Sequence, residues 1–81
     1  MLEQTLVIKQ VGRVSEILKE APPGEYRVII YNPATGEEKL IDDYSDYNQA
    51  VKIAKEKGSA EQANAFVYND NGDCLYPYFK E

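Results

Sequence analysis

The apolar period along this chain changes at a series of breakers: Pro22-Pro23-Gly24, Asn32-Pro33-Ala34-Thr35-Gly36, Gly58-Ser59 and Asn69-Asp70-Asn71-Gly72. Between breakers the period assigns an element to each segment. Before the first, Val11, Val14, Ile17, Leu18 and Ala21 fall on one arc of a helical wheel, with Arg13, Ser15, Glu16, Lys19 and Glu20 opposite. That spacing predicts an amphipathic helix near 13–21. Upstream, Thr5-Leu6-Val7-Ile8 is rich in β-branched residues. Gly12 inside a longer helix costs about 1 kcal/mol relative to Ala. A strand near 4–10 is therefore expected to precede the helix; a single helix over 3–21 is the alternative.

Glu25 to Tyr31 alternates Tyr26, Val28 and Ile30 against Arg27, Ile29 and Tyr31, which reads as a strand. In the following loop Asn32 can bond its own backbone, Pro33 presets φ, and Gly36 can take the left-handed conformation. Glu37 to Asp42 is expected to return antiparallel. Ser45 is the expected N-cap of a helix near 46–57, with Tyr47, Ala50, Val51 and Ala54 as its buried stripe and Gly58 just past its end. Alanines in that stripe point to close approach to a sheet. Ala65-Phe66-Val67-Tyr68 and Asp73-Cys74-Leu75-Tyr76 flank Asn71-Gly72, a tight-turn dipeptide, and predict a second hairpin ending near Tyr78. Pro77 has no N–H for a ladder, so its strand belongs at an edge. The expected fold is a single α+β domain over 1–81. Its small antiparallel or mixed sheet has about four to five strands with two helices, in the order β-α-β-β-α-β-β.

Composition narrows the chemistry. With 81 residues, no His and one Cys, the chain has no imidazole base, no internal disulfide and no Cys/His zinc pattern. Cys74 lacks a basic neighbour in sequence and reads as buried filler. The glycines are scattered, so no phosphate-binding loop is present. Asp70-Asn71-Gly72-Asp73 fails the calcium-loop spacing, because Tyr78 stands where the bidentate Glu is needed. No apolar run or basic-apolar leader indicates a membrane span or secretion, which leaves a cytoplasmic expectation.

The net charge of −5 opposes nucleic-acid binding through phosphates and binding to anionic membranes. Glu37, Glu38, Asp42, Asp43 and Asp46 crowd into a short acidic patch. On a regular strand Glu38 and Asp42 would share a face. The patch reads first as a solvated surface, then as a site for a basic partner, and last as a carboxylate or metal-dependent hydrolase. Seven Tyr and two Phe, with no Trp, suit a contact surface, because Tyr combines large area with a polar tip. Both sides of the strand at 25–31 are apolar, so the second face must be covered by the N-terminal segment or by another molecule. The expected contact residues are Ile29, Tyr31 and Ile41 on that face, with Tyr76, Tyr78 and Phe79 in the aromatic tail. These observations suggest a non-enzymatic protein-interaction module without cofactor or metal, possible as a homo-oligomer. The alternative is an acidic inhibitor that engages a basic surface of a nucleic-acid-binding protein.

Overall fold

The computed structural model describes residues 17–80. Within them the chain runs β1 (Tyr26–Asn32), β2 (Glu37–Tyr44), α1 (Tyr47–Glu61), β3 (Asn64–Tyr68) and β4 (Cys74–Tyr78). The strands form one sheet in the order β2-β1-β3-β4, and every neighbouring pair is antiparallel. Both β2 and β3 oppose β1, so they run parallel to each other, and α1 is the crossover that joins them.

The expected two helices and five strands are thus corrected to one helix and four strands among the described residues. The strand near 4–10 and most of the helix near 13–21 lie outside those residues. Residues 17–21, common to that helix and to the alternative over 3–21, are described and are not helical. Proline is one reason, since a residue preceding Pro is pushed out of the α region, and Pro22 follows Ala21. Long-range bonding is the other. The Ala21 N–H donates to the Asn69 carbonyl at 3.1 Å, a partner no helix would leave it free to take.

The first hairpin forms as its residues dictate. The Asn32 carbonyl accepts from Gly36 at 2.7 Å, and its side-chain oxygen accepts from the Ala34 N–H at 2.9 Å. Gly36 sits at φ 80°, a conformation that any Cβ would strain. In the second hairpin Asn69 is the organiser, and the tight-turn reading of Asn71-Gly72 is corrected. The Asn69 side chain accepts from the N–H of both Asn71 and Asp73 at 2.9 Å, and Gly72 alone of this loop takes positive φ.

The N-cap of α1 is Asp46, not Ser45: its carboxylate accepts the Asn48 N–H at 3.3 Å. The helix runs a turn past Gly58 and ends at Gln62, whose φ is 55°. Gly58 is inside the helix because the ring of Tyr78 packs there. A Cβ on Gly58 would lie 2.6 Å from Tyr78 Cδ2 and 3.0 Å from the Ala63 carbonyl oxygen.

The core lies between α1 and one sheet face. Val28, Ile30, Ala65 and Val67 meet Ala50 and Ala54, all buried. The small helix residues let backbone approach backbone, and Tyr26 and Tyr47 close one end edge-on at 5.5 Å. Cys74 is exposed, which corrects its reading as buried filler.

Candidate functional site

Alternation from the core strands places a second set of side chains on the face away from α1. Leu40, Ile29, Phe66 and Pro77 stand side by side across β2, β1, β3 and β4. They form an apolar row that spans the sheet. On one side of it Asp43, Arg27 and Tyr68 are in register; on the other, Glu38, Tyr31 and Asn64. Phe79 leaves the end of β4 and meets Phe66 edge-on at 6.0 Å. Exposure along this surface is uneven: Ile29 is 1% exposed, Leu40 40% and Phe79 62%.

The sheet separates the expected contact residues into two groups. Ile29, Tyr31 and Phe79 belong to the face away from α1. Ile41, Tyr76 and Tyr78 pack against the helix-side core, and Ile41 is thereby corrected from the second face. A β-bulge is the cause. The register of β2 shifts between the partners of Val28 and Ile29, and Ile41 is left without a partner of its own. One extra residue reverses the parity of the strand, so Leu40 takes the outer position expected of Ile41.

The same bulge disperses the acidic patch. Glu38 pairs with Tyr31 on the outer face, whereas Asp42 pairs with Val28 on the helix side, so the shared face expected for them is corrected. Asp43 receives a forked pair of bonds from Arg27 at 2.7 and 3.0 Å. This bonding raises the pKa of the guanidinium, against the opposing effect of burial. Lys19 donates to both oxygens of Glu38 at 3.1 and 3.3 Å. Asp42 accepts the Asp43 N–H, Asp46 caps α1, and Glu37 is exposed. No group of three or more His, Cys, Asp or Glu among the described residues is placed to hold a metal ion.

Residues 18–21 cross the outer face. The Lys19 ammonium that reaches Glu38 also lies 5.7 Å from the Tyr68 ring centroid. Arg27 donates to the Leu18 carbonyl at 2.8 Å. A turn over Pro22–Glu25, with Gly24 at φ 77°, leads this segment into β1, and the Gly24 N–H is tied to Asp70 at 2.9 Å. Beside this turn an open cleft of about 220 Å³, lined by Glu25, Tyr26, Asp70 and Leu75 among others, falls short of the roughly 300–1,000 Å³ of small-molecule sites.

Lys19, Arg27, Leu40 and Phe66 were not singled out by the sequence pattern as site residues. Phe66 had a usable signal, its alternation against Ala65 and Val67. Lys19 had none, because its partners are distant in sequence.

Burial raises the pKa of the Tyr68 phenol above the ordinary 10.0, with smaller contributions from Cys74 and Glu38. A raised folded-state value means that stability is intact below about pH 10 and falls as pH rises through the folded-state value. Tyr68→Phe is therefore expected to flatten the alkaline decline in melting temperature, read by thermal unfolding between about pH 9 and 12. An unchanged slope would remove Tyr68 as a contributor.

No helix among the described residues is long and apolar enough to cross a membrane. Comparison with protein-family models, with curated proteins and with solved structures finds no match to this chain.

Proposed function

We propose that this chain is a small acidic, non-enzymatic, cytoplasmic protein-interaction module that meets its partner through the sheet face away from α1. One observation carries the reading: an apolar row spans all four strands, and its Leu40 and the adjoining Phe79 are 40% and 62% exposed. Single exposed apolar residues are ordinary on a protein surface, but contiguous ones mark contact sites. The sheet edges are poorer candidates. Pro77 removes a donor from β4, whose register is also broken at Leu75. The bulge and carboxylates of β2 discourage pairing with another strand.

The acidic alternative has weaker support, because Glu38 and Asp43 are already neutralised by Lys19 and Arg27. Affinity capture from native lysate with parallel baits tests the choice. A partner lost on Leu40→Ser with Phe79→Ser, and retained on Glu37→Gln with Asp42→Asn, supports the face. Retention with the first pair and loss with the second sinks it. Size-exclusion chromatography with light scattering tests the homodimeric form of the same reading.

A further inference from the structure

We infer that residues 18–21 form a releasable strap that gates the apolar row; this rests on the reading of that row as the docking face. The geometry begins with Lys19. Its ammonium meets Glu38 on β2 and Tyr68 on β3, which occupy opposite corners of the outer face. In the strand register, the diagonal between these corners crosses Ile29. The strap therefore lays a cationic chain over the most buried point of an apolar row. Leu18, the neighbouring residue, is 70% exposed. A segment packed as part of a core turns its large apolar side chain inward and its cation outward; this one does the reverse.

The bonds that hold the strap are of a kind that can be exchanged. Lys19–Glu38 is a partly exposed ion pair, open to screening by salt. The Leu18 carbonyl is held by an exposed Arg27 contact. Ala21 is the strap's buried side chain and adds one backbone bond, to Asn69. Below it the Pro22–Glu25 turn, fixed to Asp70 through Gly24, supplies a pivot that stays attached when the strap lifts. Lifting Lys19 uncovers Ile29 between Leu40 and Phe66. A partner with apolar side chains then replaces the Lys19 stem, and the docking face becomes continuous across the sheet.

Amide hydrogen exchange followed by NMR reads the gate directly. The Ala21 N–H reports on the strap, and the amides of Val28 and Ile30 report on opening of the sheet. Lys19→Ala at low salt, and the unaltered chain in about 0.5 M salt, are each expected to speed Ala21 exchange about two- to fivefold. That is the size expected for losing one such ion pair. The β1 amides should not change, and Lys19→Arg should behave as the unaltered chain. A second measurement uses the apolar dye anilinonaphthalene sulfonate. Lys19→Ala should bind it, and adding Leu40→Ser and Phe79→Ser should abolish that binding. If Ala21 exchanges in step with the β1 amides in every variant, the strap is part of the sheet's own folding unit. The gate is then overturned, while the docking reading stands on its capture experiment. Faster Ala21 exchange without dye binding overturns both.

Discussion

Ile29→Ala will lower the unfolding free energy by about 2–5 kcal/mol, the range for truncating a large buried aliphatic side chain. Ile29 earns this value although it faces away from α1, since it is 1% exposed between Leu40 and Phe66. For a chain of 81 residues total stability is about 4–12 kcal/mol, so the variant loses a large share of it. In a domain this small each kcal/mol moves the melting temperature by about 4–8 °C. Leu40→Ala, one position along the same row, is the control. Its side chain is already partly in water, so its cost should stay near or below about 1 kcal/mol. Urea titration of the two variants gives the comparison. Equal costs would mean that Ile29 is no better enclosed than Leu40, and the second face would not act as a packed surface.

Gly58→Ala is expected to destabilise by about 1–2 kcal/mol, opposite in sign to what helix propensity alone implies. In an unencumbered helix the substitution gains up to about 1 kcal/mol. Here the new methyl meets the Tyr78 ring at 2.6 Å and the Ala63 carbonyl oxygen at 3.0 Å, and overpacking of this kind costs about 1–3 kcal/mol. A double-mutant cycle identifies the cause. Combined with Tyr78→Leu, which removes the ring, Gly58→Ala should lose most of its penalty, because contacting residues are not additive. Persistence of the full penalty would place the clash at the Ala63 carbonyl instead.

These two residues mark the limits of local reading. Gly58 resembles a helix stop, and Gly just beyond a run of Lys is common chemistry for one. What keeps the helix going is tertiary. Tyr78, twenty residues later in the chain (about five helical turns' worth of sequence), needs a flat place on α1, and a glycine inside the helix provides it. Ile29 was visible as one of an alternating pair of apolar sets, and its outward position followed from that alternation. Its companion across β2 was not visible. Leu40 and Ile41 are adjacent and both apolar, and only the bulge decides which of them faces outward.

The sequence by itself determined the two hairpins, their loops and the existence of α1. Each depends on contacts within a few residues: Asn32 and Gly36 closing one loop, Asn69 and Gly72 the other, and the Ala50–Ala54 stripe marking the helix face. Tertiary structure decided the strand order, the sides of the sheet taken by Ile41, Leu40 and Asp42, and the non-helical course of residues 17–21. The physical reason is common to all of these. A one-residue slip reverses every side chain that follows it in a strand. A weak helical pattern yields when a distant carbonyl, here that of Asn69, and distant side chains, here Glu38 and Tyr68, offer its residues better partners.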